Sequence, residues 1–375
     1  MIGSGHFSDR FYDEAVALLK RVCVIPAPSR HEEKRAAFIL DYLASQGISD
    51  AYCDSAKNVI IPYLVDGSDE YDVYAAHTDV VFPDTEEFPM TVEGTELHCP
   101  GCADDSANFA ALLMYAIYFK KEKPPARRSI LFVCNSCEEG LGNLYGIKTL
   151  FESFAGRIRT FTSFDSVLGR GIVTTAVGSE RYRITVRTEG GHSFADFGKK
   201  NAIALLSNVI TKLYGQKVKG RYTTYNVGTV EGGTSVNSIA QEACCTYEFR
   251  AVSASELNLM RSNMDAVISS VRARGIDIST ECIGIRPCGI STDLSPLLTK
   301  AEQLMKKYGL SACHRLSSTD CNIPLSIGIP AVCFGLIYAQ GMHTRQEYAD
   351  LSSYRTGLDL GYDYICAVSV ADWEF

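Results

Sequence analysis

The chain has 375 residues, 46% of them hydrophobic and 21% charged, which excludes a disordered or collagen-like protein and leaves room for two packed domains at ~100–200 residues each. Its 36 Lys and Arg against 44 Asp and Glu give a net charge of −8, with no long basic run, so nucleic acid is not an expected partner. The longest apolar stretches, such as residues 110–117, fall short of the ~18–20 residues that cross a bilayer, so no membrane span is expected.

Residues 1–6 lack the basic and apolar segments of an export signal, and the 14 cysteines are therefore expected to be reduced, in the cytoplasm. Apolar residues recur at helical spacing over 11–24 and 32–43, with Pro26-Ala27-Pro28-Ser29 between them, which predicts helix, turn, helix. β-rich runs follow at 58–64, 71–76, 129–133, 161–164 and 331–334, with a helix over 107–120. Strands alternating with helices predict an α/β fold, a mixed, mostly parallel sheet flanked by helices.

From about Val177 to Pro287 the rhythm becomes strand 181–188, helix 201–214, strand 223–230, strand 242–252, helix 256–274 and strand 276–285. That β-α-β-β-α-β order predicts a ferredoxin-like α+β module, its second helix opened by a capping box of Ser253 and Glu256. An amphipathic helix over 296–308 and the strand near Ala331 return to the first pattern. The expected division is therefore a domain built from 1–176 and 289–375, with 177–288 inserted into it.

Acids and histidines follow the apolar strands of the larger domain. His77-Thr78-Asp79 ends one of them, and at strand spacing His77 and Asp79 point to one side, where a carboxylate can hold an imidazole. Asp104-Asp105 precedes the 107–120 helix; simple capping is the ordinary alternative, but two adjacent acids exceed what one cap requires. Glu138-Glu139-Gly140 follows the 129–133 strand, Asp165 follows 161–164, and His343 lies beyond 331–334 in the loop Gln340-Gly341-Met342-His343. In open α/β sheets the ligand crevice lies outside the carboxyl ends of the strands, so groups placed there can converge.

The set His77, Asp104, Glu139, Asp165 and His343 offers imidazole and carboxylate without thiolate, the donors expected of a catalytic zinc or manganese site. A shared Asp104 would let five side chains hold two cations. Glu138 then remains beside a ligand, placed to take a proton from water acidified by the cations.

With these residues in place, the chain resembles the cocatalytic zinc exopeptidase and amidohydrolase family that includes peptidase T, carboxypeptidase G, aminoacylase and succinyl-diaminopimelate desuccinylase. The resemblance runs through Ala76-His77-Thr78-Asp79-Val80, Ala103-Asp104-Asp105, Glu138-Glu139-Gly140, Gly191-His192-Ser193 with Asn201-Ala202-Ile203, Gly232-Gly233-Thr234-Ser235-Val236-Asn237, and Ser318-Thr319-Asp320 with Gly328-Ile329-Pro330. It implies a zinc exopeptidase-like catalytic domain holding two divalent ions, zinc or else manganese or cobalt. His77 and Asp165 would hold one ion and Glu139 and His343 the other, with Asp104 bridging and Asp79 orienting His77. Glu138 would be general base and acid. The inserted module would be a lid and dimerisation domain, giving a homodimer in which His192 reaches a neighbouring active site to stabilise the oxyanion. Asn237 and Arg250 match positions that contact substrate, Arg250 by gripping a carboxylate bidentately; their ordinary alternatives are a turn residue and a surface arginine.

An aspartate at 165 resembles the aminopeptidase and dipeptidase branches and tilts the substrate towards short peptides. N-acyl amino acids, or peptides cut at the carboxyl end, are the alternatives within the family. Ser106, where many relatives have lysine, and Phe194-Ala195-Asp196, in place of a proline-containing loop, depart from the family pattern. So do two Cys-x-x-Cys pairs, Cys99/Cys102 and Cys134/Cys137, which could instead build a four-thiolate zinc site or run thiol–disulfide chemistry. The stretch between the pairs exceeds the ~15–20 residues of a compact ribbon and contains the 107–120 helix, which disfavours that reading. A scaffold that binds peptides without cleaving them is a further rival, opposed by retention of Glu138 and all five ligands.

Overall fold

The computed structural model describes residues 6–216, 218, 220–290 and 295–372. The first five residues of the segment read for an export signal lie outside the described residues. Two compact units emerge: one from the segments up to Ala176 and from Ile290 onward, the other from Val177–Gly289.

In the first unit a mixed sheet runs Tyr52–Cys53, Val59–Tyr63, Ser129–Asn135, Tyr71–His77, Ile158–Ser163, Ala331–Cys333 and Ile172–Ala176. Its middle pairs are parallel: Tyr71–His77 with both Ser129–Asn135 and Ile158–Ser163, and Ala331–Cys333 with Ile158–Ser163. Strand Tyr71–His77 is buried along its whole length, as a strand covered on both faces must be. Its alternate residues feed different cores: Tyr74 and Ala76 pack with the helices Phe7–Val22, Ala107–Glu122 and Leu351–Ser369, whereas Val73 and Ala75 pack with Tyr145–Ser153. Each large apolar side chain buried there contributes roughly 1.5–3 kcal/mol. Helix Ala107–Glu122 is buried on every side over Ala107–Ile117 and at Phe119, and only its charged last turn reaches solvent. Its first turn is thereby fixed in position just behind Asp104-Asp105. Two hydrogen-bonded strands of a smaller sheet, Glu96–His98 and Tyr348–Asp350, lead into the loops that carry Asp104 and His343.

The second unit has strands Gly178–Arg187, Thr224–Gly232, Glu242–Ala251 and Asp277–Arg286 and helices Ala202–Tyr214 and Ala254–Arg272. In sheet order these are the second, third, first and fourth strands, all antiparallel, which is the ferredoxin-like arrangement. Only half of the expected capping box forms. Ser253 Oγ accepts from the Glu256 N–H, but the Glu256 carboxylate bonds the Ser253 hydroxyl in place of its main-chain N–H. Among the described residues, no helix is long and apolar enough to cross a membrane.

Candidate metal centre

The parallel strands end at one edge of the sheet, and their terminal residues meet there. His77 is the last residue of its strand and 1% exposed. Its Nε2 lies 3.1 Å from Asp104 Oδ1, while His343 Nε2 lies 3.0 Å from Asp104 Oδ2 and 3.0 Å from Glu139 Oε1. One carboxylate thus faces an imidazole on each of its two oxygens. His77, Asp104 and Glu139 offer ligand atoms all within 4.8 Å of one another, as do His77, Asp105 and Asp165. His343 is the exposed member, held on a residue with φ of 63°.

Neither aspartate of the 104–105 pair caps the helix behind it. Asp104 faces the two histidines, and Asp105 Oδ2 accepts the His77 main-chain N–H at 2.9 Å. Asp105 Oδ1 accepts from Asn108 Nδ2 at 2.5 Å, so one oxygen holds the strand end and the other the first turn of the helix. Asn108 also donates to Ser166 O at 3.4 Å and accepts from Leu336 N at 2.8 Å.

Asp79 acts more broadly than its spacing predicts. Its carboxylate lies 3.5 Å from His77 Nδ1, and its carbonyl oxygen is closer, at 3.1 Å. The carboxylate itself accepts from Ser29 Oγ at 2.6 Å and from the main-chain N–H groups of Glu138 and Glu139, each at 2.9 Å. Buried Glu32 continues the clasp by accepting from Cys137 N at 3.1 Å. These contacts fix the segment that presents Glu138, which is 5% exposed.

The electrostatics record crowded anions. Burial, the charge of Asp104 and that of Glu138 push the Glu139 carboxyl up to about 8, against a weaker downward pull from His343. Burial, with Asp104 and Glu138, pushes Asp165 up to about 7. Burial alone would raise Asp104 as well, but His343 and His77 outweigh it and hold that group well below the usual carboxylate range. Its two carboxylate partners raise His343 to about 11. Carboxylates and imidazoles packed this closely, without a thiolate, fit divalent cations of the zinc or manganese kind.

The cysteine alternative finds no support. Among the described residues, neither group able to hold a metal contains cysteine. Cys99 and Cys102 donate to the carbonyls of Cys23 and Leu97. Burial raises the thiols of Cys102 and Cys134, and raises Cys137 to about 12, which disfavours the thiolate that either chemistry requires.

Within the second unit, the exposed His192 pairs across to Ser238 in a short antiparallel ladder. Its Nδ1 accepts the N–H groups of Phe194 at 3.2 Å and Ala195 at 3.3 Å, which leaves the ring proton on Nε2 as an outward donor. Asn237 behaves as a turn residue: its carbonyl accepts from Ser193 N at 3.0 Å and its Oδ1 from Ser235 Oγ at 3.0 Å. Two nitrogens of Arg250 already bond Glu248, at 2.7 and 3.1 Å.

The sequence reading missed three anchors of the first unit: Ser29, Glu32 and Glu347. Glu347 is 1% exposed and accepts three main-chain N–H groups of the loop that leads to Asp104. No periodicity marks any of the three, although Glu347 lies only four residues beyond His343.

Comparison with known proteins shows the family and the fold. The model of peptidase family M20/M25/M40 matches residues 73–367. The N-acetyldiaminopimelate deacetylase of Bacillus licheniformis is 22% identical over 289 residues, covering 72% of this chain and 74% of its own. Among solved structures, a tripeptidase from Staphylococcus aureus aligns with a TM-score of 0.78 at 20% identity, over 95% of this chain and 98% of that one. The aminopeptidase PepT of Bacillus cereus aligns with a TM-score of 0.74 at 19% identity, over the same shares.

Proposed function

Since the chain belongs to peptidase family M20/M25/M40 and is thus a metal-dependent hydrolase of peptide or amide bonds, we propose that it is an exopeptidase of short peptides, an aminopeptidase or dipeptidase, working with two zinc ions. The observation that carries this reading is the Asp104 carboxylate, with His77 Nε2 at 3.1 Å on one oxygen and His343 Nε2 at 3.0 Å on the other. His77 and Asp165 would hold one ion, Glu139 and His343 the second, and Asp104 both.

When bound, such a pair of cations polarises the scissile carbonyl and makes water at the site more acidic. Glu138, on a segment clasped by Asp79, takes the proton of the attacking water and returns it to the leaving nitrogen. His192 donates from Nε2 to the oxyanion in a neighbouring copy of a homodimer, and its Nδ1 contacts keep that donor available. Asn237 would stand among the substrate contacts. Arg250 could grip a substrate carboxylate only by releasing Glu248.

A hydrolysis screen tests the reading: free di- and tripeptides against N-terminally blocked peptides and N-acyl amino acids, each with zinc, manganese or cobalt. Cleavage that requires a free amino terminus supports it. Cleavage confined to N-acyl amino acids, the class of the deacetylase relative, selects the amidohydrolase alternative and overturns it.

A further inference from the structure

Asp104 and His343 lie far apart in the sequence, yet they occupy loops that leave two neighbouring strands of one small sheet. The register pairs Tyr348 with His98, which sets Glu347 beside Cys99 at the point where both loops begin. The main chain closes this junction with a hydrogen bond from Cys99 N to Glu347 O at 3.3 Å. The side chain then reaches into the other loop. Glu347 Oε2 accepts from Gly101 N at 2.8 Å, and Oε1 accepts from Ala103 N at 2.9 Å and Asp104 N at 3.0 Å.

Three main-chain donors of one turn around a single buried carboxylate form an anion-binding turn whose anion belongs to the protein itself. The turn is not helical at its end, since Asp104 has φ of −111° and ψ of 81°. The N–H of that residue is held by the Glu347 carboxylate. Gly101, with φ of 73°, supplies the left-handed step that turns its N–H inward. On its own side Glu347 N bonds Thr344 O at 3.3 Å, which closes the loop behind His343. One residue is thus tied by main chain to the His343 loop and by side chain to the Asp104 loop.

We infer that Glu347 is a positioning residue that sets the Asp104 carboxylate between the two ions and fixes its distance from His343. This rests on the two-ion reading above. A glutamine at 347 would keep the volume but replace one acceptor with an NH2 group that confronts main-chain donors. The second ion, the one that depends on His343, Glu139 and Asp104 together, should bear most of the loss. Removal of groups that orient metal ligands typically costs ~10–100-fold in affinity.

The test is stepwise cobalt(II) titration of dialysed protein, followed by visible absorption and by elemental analysis. It uses the wild type, Glu347→Gln, Glu347→Asp and, as a control on the same loop, Gln346→Ala. Far-UV circular dichroism reports folding. The expected result is two ions in the wild type and in Gln346→Ala. Folded Glu347→Gln should bind the first ion normally and the second at least ~10-fold more weakly, with an altered cobalt spectrum. Glu347→Asp, which keeps a carboxylate, should recover part of that loss. Fewer than two ions in the wild type would sink the two-ion reading itself and the inference with it. Two ions in the wild type and an unchanged second step in folded Glu347→Gln would overturn the inference alone. Failure of both Glu347 variants to fold would also overturn it, by making the residue one that the fold needs ahead of the site.

Discussion

The main-chain N–H of Glu138 donates to Asp79 Oδ1 at 2.9 Å, so the proposed proton carrier is fixed by its backbone. Glu138→Gln should therefore keep the loop and the ions while removing the base. Turnover is expected to fall by at least ~10²-fold with metal content unchanged by elemental analysis. Unaltered turnover would reject the assignment.

Asp79→Asn tests the clasp itself. One amide oxygen cannot replace two carboxylate oxygens that accept from Ser29, Glu138 and Glu139. Metal affinity or activity should fall ~10–100-fold, read by competition with a chromophoric chelator. Wild-type values for both would show that the loop holds its place without Asp79.

Loss of a ligand to one ion should leave the other in place. Dialysed Glu139→Ala or His343→Ala protein is expected to retain close to one equivalent of metal per chain. Two full equivalents in either variant would remove that residue from the ligand set.

The raised carboxyls set a pH dependence with a definite sign. Glu139, pushed from 4.5 to about 8, and Asp165, from 3.8 to about 7, hold protons in the folded metal-free chain that the unfolded chain has already lost. The folded state binds more protons over that window, so its stability falls as pH rises through it. His343, raised from 6.5 to about 11, adds to the fall above its ordinary value. The Tm of metal-free protein should drop between about pH 5 and about pH 8. Metal binding, which displaces those protons, should release them into the buffer, as counted by calorimetry in buffers of differing ionisation heat. A metal-free Tm that climbs across the same interval contradicts the assignment.

If His192 acts on a neighbouring copy, two inactive chains can repair one another. Mixing His192→Ala with Glu138→Gln protein should restore activity to a fraction of the sites. Persistent inactivity despite demonstrated subunit exchange would exclude a role in trans.

The elements that build the site were legible because they are simple. Strand Tyr71–His77 and its neighbours announce themselves as apolar runs, since a strand buried on both faces has no polar side to show. His77, Glu139 and Asp165 were legible as polar residues ending such runs at one edge of a parallel sheet. The anchors were not. Glu347 reaches Gly101, Ala103 and Asp104 across more than two hundred residues, and no periodicity records a contact of that range. The occupation of Arg250 was within reach, because Glu248 stands two residues earlier on the same face of one strand.

Asn108 joins the Asp105 turn, the Ser166 carbonyl just past Asp165, and Leu336 on the way to His343. A single amide therefore couples three segments that carry proposed ligands from within a deeply packed helix. Anyone retuning the protein for a larger or smaller ion would find that these segments shift as a set, so selectivity has to be re-engineered from the scaffold outward and cannot be obtained by swapping one donor at a time.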